Sequence, residues 1–236
     1  MIVAAHQPAF LPWLGYLDKM ARADLFVVVD CVQYEAQNFQ NRNRVKRQDG
    51  AGWLTVPVRH GSRADVVADK RICSESNPRH CWQRRAWRTI EIHYRRAPFF
   101  ARYADELRDV IVRPWESLVD LDVATIELAR RWLGISQPMV RSSTLNLQGA
   151  KTDRILDLCR KVNASGYLSG AGGSAGYLDV PQMKRAGVDV TWQQFVHPAY
   201  PQRYPHLGFI PNLAFLDVVL NCGPEARAIL RVEAAP

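Results

Sequence analysis

The sequence predicts an α/β protein in which helices flank a mostly parallel β-sheet. Two short apolar runs near the start, 2–5 and 25–30, have the composition of buried strands. The segment between them, 12–21, has apolar residues at helical spacing. A strand, a loop, a helix and a second strand in succession form a Rossmann-like βαβ unit, whose two strands run parallel.

The elements that follow continue this alternation around a helical middle. Strands are predicted at 53–58 and 64–72, as a hairpin around 60–62, and then helices near 79–94, 98–111 and 115–133. We interpret the whole chain, 1–236, as one domain with a helical insertion or subdomain at 79–134. Strands and helices alternate again from 139 onward, and 213–220 and 225–230 are predicted as the last helices.

Composition limits the class of protein. The 236 residues are 47% hydrophobic, which suffices for a sizeable core, and no run of 18 apolar residues occurs. The start lacks the pattern of a secretory signal, and the five cysteines are irregularly spaced without a metal-binding pair. We therefore expect a cytoplasmic protein with reduced thiols, no membrane contact and no bound metal.

Positive charge is concentrated in the middle of the chain. Residues 42–102 hold 15 lysines and arginines against five acidic residues, whereas the rest of the chain is nearly neutral. Such a region is typical of a surface for phosphate, carboxylate or nucleic acid, although exposed arginine-rich helices give the same pattern without a ligand. This charge favours one of three partners, which are a phosphate-bearing small molecule, an acyl-carrier protein or a tRNA.

Two candidate site residues stand at the ends of the first two strands. Ligands of open α/β sheets bind beyond the carboxyl ends of the strands, where His6 and Asp30 are expected. His6 would carry a proton or bind phosphate, or else bond the loop backbone. Asp30 would be a base, a hydroxyl acceptor or an ion-pair partner. The segment QNRNR, 40–44, would orient an oxygen-rich ligand or form a solvated loop.

Two later segments add candidates. The glycine-rich loop 170–176 could hold phosphate on its backbone N–H groups, but it matches neither the dinucleotide nor the P-loop motif. Asp217 and Asn221 share one face of an apolar helix, so Asp217 is either paired inside the protein or reaches into a site. His197 could meet Asp217 across the fold.

Several separate segments together resemble the WbqC-like family. They are HQPAFLPWLGYLDK at 6–19, ADLFVVVDCVQY at 23–34, NFQNRNRVK at 38–46, WLTVPV at 53–58, YLSG and GYLD at 167–170 and 176–179, HPAYPQ at 197–202, and FIPNLAFLDVVLNCG at 209–223. The resemblance implies a bacterial biosynthetic protein that belongs with surface polysaccharides and natural products, notably modified amino sugars. A looser likeness relates the first 35 residues to nucleotidylyltransferases and pantothenate synthetases. Those enzymes use an HxGH motif, whose second histidine is missing here.

The residue patterns and the resemblance together define the predicted site. The predicted catalytic residues are His6, Asp30 and Asp217. The predicted substrate-binding residues are Gln7, Trp13, Tyr16, Gln33, Asn41, Arg42, Asn43, Lys46, Ser169, Gly170, Gly173, Tyr177, His197, Gln202 and Asn221.

The leading hypothesis is an N-acyl or N-aminoacyl transferase without a tightly bound cofactor. It would move a group such as glycyl from a phosphopantetheine-linked or tRNA-linked donor to the amine of a nucleotide-linked amino sugar or small metabolite. His6 or Asp30 would take the amine proton, and Asn41 and Asn43 or the backbone of 169–173 would stabilise the oxyanion. Nucleotidylyl transfer from ATP or CTP and non-catalytic binding of RNA or a carrier are the alternatives.

Overall fold

The computed structural model describes residues 1–62, 64–73, 81–170, 172 and 176–230. The strands are β1 (Ile2–His6), β2 (Leu25–Val28), β3 (Arg42–Arg47), β4 (Gly50–Thr55), β5 (Met139–Arg141), β6 (Gly166–Ser169) and β7 (Asp189–Trp192). The helices are α1 (Leu14–Ala21), α2 (Trp82–Tyr94), α3 (Phe100–Val112), α4 (Leu118–Leu133), α5 (Lys151–Lys161), α6 (Val180–Arg185), α7 (Leu216–Cys222) and α8 (Ala226–Leu230).

Five of the strands form one parallel sheet in the order β5-β2-β1-β6-β7. Every neighbouring pair in it runs parallel, which confirms the predicted α/β class and its opening βαβ unit. The chain passes outward from β1 through β2 to β5 and then returns to the other side of β1 as β6 and β7. A reversal of this kind opens a crevice at the carboxyl ends of the two central strands, here at His6 and Ser169.

Apolar side chains cover both faces of this sheet. On one face, Phe26 of β2 is fully buried with Leu14 of α1, Ile90 of α2 and Ile126 of α4. On the other face, Leu158 of α5 packs in a second cluster with residues of β1, β2 and α6. The helical middle thus shares its core with the sheet, while its status as an insertion or subdomain stays a prediction. Among the described helices, none combines the length and the apolar composition that a bilayer crossing requires.

The antiparallel hairpin lies earlier in the chain than the sequence predicted. β3 and β4 form it, whereas the predicted strand at 64–72 contains the 3-10 turn Val67–Asp69. The prediction was wrong because Asp65 accepts a hydrogen bond from the Ser62 backbone N–H at 3.1 Å, which bends the chain there. β3 was missed because Asn43 and Lys46, two polar residues, are completely buried in it.

Candidate functional site

Two adjoining cavities lie at the carboxyl ends of β1 and β6, with volumes of about 530 Å³ and about 400 Å³. His6, Gln7 and Asn38 line both of them, so the cavities form one groove. We call the larger one the basic cavity, which is also lined by Lys19, Lys151, Arg154, Gly170 and Tyr177. The smaller one is the aromatic cavity, which is also lined by Trp13, Tyr16, Phe39 and Arg44. The groove occupies the position at which open α/β sheets bind ligands.

His6 ends β1 with its ring exposed to the groove. Its Nδ1 lies 3.1 Å from the carbonyl oxygen of Gln7, and because a carbonyl only accepts, Nδ1 carries the proton and Nε2 the lone pair. Neighbouring protein atoms desolvate the ring although the residue is exposed on its groove side. This desolvation, followed by the positive charge of Lys19, lowers the pKa of His6 to about 4. The imidazole is therefore neutral at pH 7 and can accept a proton at Nε2.

Lys19 is the most important groove residue that the sequence analysis missed. Its side chain is 2% exposed, and its Nζ donates to the carbonyl oxygen of Ala5 at 2.8 Å. Burial lowers the pKa of Lys19 to about 8. A Cβ added to Gly170 would lie 3.8 Å from Nζ, which places the ammonium group beside the residue that follows β6. Lys19 follows Tyr16 by three residues on α1 and therefore lies on the same helix face, which is the feature of the sequence that could have indicated it.

α5 begins at the basic cavity and adds two cations that the sequence analysis also missed, Lys151 and Arg154. Arg154 Nε donates to the carbonyl oxygen of Gly149 at 2.9 Å, which holds the guanidinium near the start of the helix. Tyr177, whose side chain is 43% exposed, lines the same cavity. Gly173, the remaining glycine-loop residue predicted for the site, lies outside the described residues.

Aromatic rings shape the second cavity. The Tyr16 ring packs edge-on against His6 with 4.9 Å between the ring centroids. The Trp13 indole lies so close to Gly15 that a Cβ added there would meet a ring carbon at 2.2 Å. Arg44 reaches this cavity from β3, and its Nη2 donates to the carbonyl oxygen of Asn212 at 3.4 Å. The resulting wall is mostly apolar, with one cation at its edge.

Asp30 lies outside the residues that line the groove. Its carboxylate accepts hydrogen bonds from Arg141 Nε at 2.7 Å, from Ser142 Oγ at 2.9 Å, and from the backbone N–H and Oγ of Ser143, both at 2.8 Å. Burial raises the pKa of Asp30, but these hydrogen bonds outweigh it and the pKa is lowered. Asp30 is therefore an ionised anchor between the ends of β2 and β5, with its lone pairs already engaged.

Asp217 is also remote from the groove and belongs to what we call the buried network: Lys46, Tyr94, Gln202, Asp217 and Asn221. The Asp217 carboxylate accepts from the Tyr94 hydroxyl at 2.6 Å and from Gln202 Nε2 at 2.9 Å. Lys46 Nζ donates to Gln202 Oε1 at 3.1 Å, and Asn221 Nδ2 donates to the Asp217 carbonyl oxygen at 2.6 Å. Burial raises the pKa of Asp217 to about 6 despite these bonds. The network fastens β3, α2 and α7 together.

The two asparagines predicted to stabilise an oxyanion donate hydrogen bonds to backbone carbonyl oxygens. Asn43 Nδ2 donates to the carbonyl oxygens of Phe10 and Leu11 at 3.2 and 2.7 Å. Asn41 Nδ2 donates to the carbonyl oxygen of Val56 at 2.9 Å. The Asn43 bonds fix the loop after β1 against β3, and the Asn41 bond joins the residue before β3 to the residue after β4.

Four further predicted site residues are absent from the lining of both cavities. Arg42 stacks on Trp53, with its guanidinium carbon 4.1 Å from the ring centroid. Gln33 is exposed and bridges to Val66, and Ser169 is buried at the end of β6. His197 packs among aromatic rings in the segment before α7. None of the four lines either cavity, and no three metal-binding side chains converge within the described residues.

An all-parallel sheet with a groove at the reversal of strand order defines an α/β protein whose groove lies where open sheets of this class bind ligands. The chain matches the model of the WbqC-like protein family over residues 7–229. An uncharacterized protein of Mycobacterium tuberculosis is similar, with 32% identity over 232 residues that cover 97% of each chain. The chain therefore belongs to the WbqC-like family, as its motifs predicted. No solved structure matches it significantly.

Proposed function

We propose that this WbqC-like protein is a biosynthetic transferase that moves an acyl or aminoacyl group, for example glycyl, to the amine of a nucleotide-linked amino sugar or a related small metabolite. The observation that carries the proposal is the position of His6 on the wall shared by the two cavities. Transfer between two substrates requires that both reacting groups meet beside one proton carrier. A two-part groove with a neutral imidazole at its junction fits this requirement.

His6 is the proton carrier in this proposal. The acceptor amine attacks the carbonyl carbon of the thioester or ester donor, and His6 Nε2 accepts the amine proton as the C–N bond forms. The bond from carbon to the leaving sulfur or oxygen then breaks, and the imidazolium returns the proton to that atom. The carbonyl oxygen of Gln7, 3.1 Å from Nδ1, holds the tautomer that leaves Nε2 free for this role.

Gln7 is the group that we assign to the oxyanion formed during the attack. It lines both cavities, and its Oε1 accepts from Gln40 Nε2 at 2.8 Å. Because Gln40 engages the oxygen end of this amide, the nitrogen end is oriented to donate to the oxyanion. The side-chain amides of Asn41 and Asn43 are engaged by backbone carbonyls and take no part.

The aromatic cavity is the side from which we propose that the donor enters. Arg44 lines it and Arg42 stacks on Trp53 of the same hairpin, so the basic 42–102 region reaches the edge of this cavity. A phosphopantetheine arm on a carrier protein, or the end of a tRNA, carries phosphates that arginine binds well. The apolar wall beyond Arg44 suits the uncharged part of such a donor.

The test is a transfer assay that detects both products. The protein is incubated with nucleotide-linked amino sugars and with acyl-pantetheine thioesters or aminoacyl-tRNA, and mass spectrometry follows the acylated acceptor and the released thiol or tRNA. Replacing His6 by Gln should lower turnover by about 10²- to 10⁴-fold, the usual contribution of a general base. His206→Gln, which removes an exposed histidine outside the groove, is the matched control.

Two results would contradict the proposal. Unchanged turnover in His6→Gln would remove His6 from the mechanism. Release of pyrophosphate from ATP or CTP without acyl transfer would replace acyl transfer by the nucleotidylyl alternative.

A further inference from the structure

We infer that the basic cavity is a diphosphate site, in which Lys19, Lys151 and Arg154 bind the diphosphate of the acceptor. The inference rests on the proposed function for the identity of that acceptor. All three cations lie outside the basic region 42–102 that the sequence analysis connected with phosphate.

Lys19 is the first part of the argument. A buried ammonium group is unfavourable unless charges or hydrogen bonds compensate it. Lys19 Nζ donates to the carbonyl oxygen of Ala5, and within the described parts of the chain no carboxylate lies at ion-pair distance from it. An ammonium group has three N–H donors, so two are left for a ligand in the cavity that Lys19 lines.

The convergence of α1 and α5 is the second part. α1 packs on one face of the sheet and α5 on the other, yet Lys19 of α1 and the first turn of α5 line the same cavity. Ala150 precedes α5 and has no side chain that could cap it. The N–H of Asp153 donates to the Ala150 carbonyl oxygen, so the N–H groups at 151 and 152 and the positive end of the helix dipole act together with Lys151 and Arg154. An anion at the end of β1 is thus approached by cations from both faces.

The chemistry and size of the cavity favour a diphosphate over a single carboxylate. A single carboxylate would neutralise either Lys19 of α1 or the cations of α5, whereas a diphosphate has charged oxygens for both. The volume of about 530 Å³ leaves room for a sugar or a base beside it. The exposed ring of Tyr177 offers an aromatic face to such a group. Glu35, an acidic residue that also lines this cavity, accepts a hydrogen bond from Asn38 Nδ2, which holds its carboxylate.

The experiment is isothermal titration of the whole chain with inorganic pyrophosphate, UDP, UMP and uridine as probes. We expect pyrophosphate and UDP to bind, UMP to bind more weakly, and uridine alone to bind least. Lys19→Met keeps an unbranched side chain of similar length without the charge, and it should weaken pyrophosphate binding by about tenfold or more. Arg154→Gln should weaken it by a similar factor. Lys184→Met, which removes an exposed cation of α6, is the control for net charge and should bind as the unaltered chain does.

Three outcomes would overturn the inference: no binding of pyrophosphate or UDP at millimolar concentration, equal affinity in Lys19→Met, or equal loss in Lys184→Met. If Lys19→Met does not fold, Arg154→Gln decides alone by the same comparison. The result is independent of the transfer assay. If pyrophosphate binding depends on Lys19 but no acyl transfer occurs, the diphosphate site is supported and the proposed function is contradicted. If acyl transfer occurs without such binding, the proposed function is supported and the diphosphate site is contradicted.

Discussion

The groove and the buried network differ in how their polar side chains are satisfied. In the network, the Asp217 carboxylate accepts from Tyr94 and Gln202, and Gln202 in turn accepts from Lys46. In the groove, Lys19 is equally buried but donates to the carbonyl oxygen of Ala5 with two N–H groups to spare. The contrast teaches that burial alone does not distinguish the two sets, whereas unused donors beside a cavity do, and these donors are the basis of the proposed diphosphate site.

Two neighbouring strand ends show the same contrast. His6 ends β1 and is exposed to the groove, while Asp30 follows β2 and has four hydrogen bonds from 141–143. The pKa of each is lowered, for opposite reasons. Desolvation disfavours the charged form of His6, and hydrogen bonds favour the charged form of Asp30. The imidazole of His6 is consequently neutral at pH 7, whereas the carboxylate of Asp30 is charged.

The largest expected effect tests the network. Asp217→Ala leaves the Tyr94 hydroxyl and the Gln202 amide unpaired in the core, so it should lower the free energy of unfolding by roughly 3 kcal/mol. Tyr94→Phe removes one of these donors and should have about a third to a half of that effect. Urea unfolding measures both. A change in Asp217→Ala below about 0.5 kcal/mol would show that the network does not hold the fold together.

The pH dependence of stability should separate His6 from Asp217. The folded pKa of His6, about 4, is below its ordinary value of 6.5, so its contribution is lost as pH falls through that interval. The folded pKa of Asp217, about 6, is above its ordinary value of 3.8, so its contribution is lost as pH rises from 3.8 to 6. His6→Gln should flatten the rise of stability with pH between 4 and 6.5, and Asp217→Asn should steepen it. Thermal unfolding across this interval measures both slopes, and slopes that both match the unaltered chain would contradict the two assignments.

A smaller effect tests the coupling between Lys19 and His6. The Lys19 charge contributes to the lowered pKa of His6, but desolvation is the larger cause. In Lys19→Met, the pKa of His6 should therefore rise above 4 and stay below 6.5. NMR titration of the His6 ring measures this shift without any substrate, and Lys184→Met serves as the distant-charge control. An unchanged His6 pKa in Lys19→Met would mean that the two groups are not coupled.

The smallest expected effect is a gain in stability. Because Lys19 is a buried cation without an ion-pair partner in the described chain, Lys19→Met should raise the free energy of unfolding by about 1 kcal/mol, or the melting temperature by roughly 2–4 °C. A gain in stability with a loss of pyrophosphate affinity would mark Lys19 as a residue retained for binding. A loss of stability of the same size would instead make Lys19 a structural residue.

The sequence predicted the parallel sheet well because its strands carry a local signal. Residues that are close in the chain are buried together in the segments 25–30 and 12–21. Their hydrophobic pattern therefore shows the strand and the helix directly in the sequence. β3 has no such signal, since Asn43 and Lys46 are buried by partners distant in the chain, Phe10 and Gln202. Tertiary hydrogen bonds of this kind decide the structure of a polar segment, and periodicity does not register them.

The sequence found the groove in part. His6 could be placed because a residue at the end of the first parallel strand is fixed by topology. Lys151 and Arg154 could not, because the first turn of α5 reaches the cavity only through the packing of α5 on the sheet. Asp30 and Asp217 looked similar to His6 as motif residues, and only their hydrogen-bond partners distinguish them.

The contact between Trp13 and Gly15 has a consequence for substrate range. The indole occupies the space that any side chain at position 15 would need, since an added Cβ would lie 2.2 Å from the ring. A residue larger than glycine at position 15 would displace the Trp13 ring and so change the width of the aromatic cavity that this ring lines. In the proposed transferase, the size of the group that the aromatic cavity admits is thus adjustable from Gly15, a position that does not itself line the cavity.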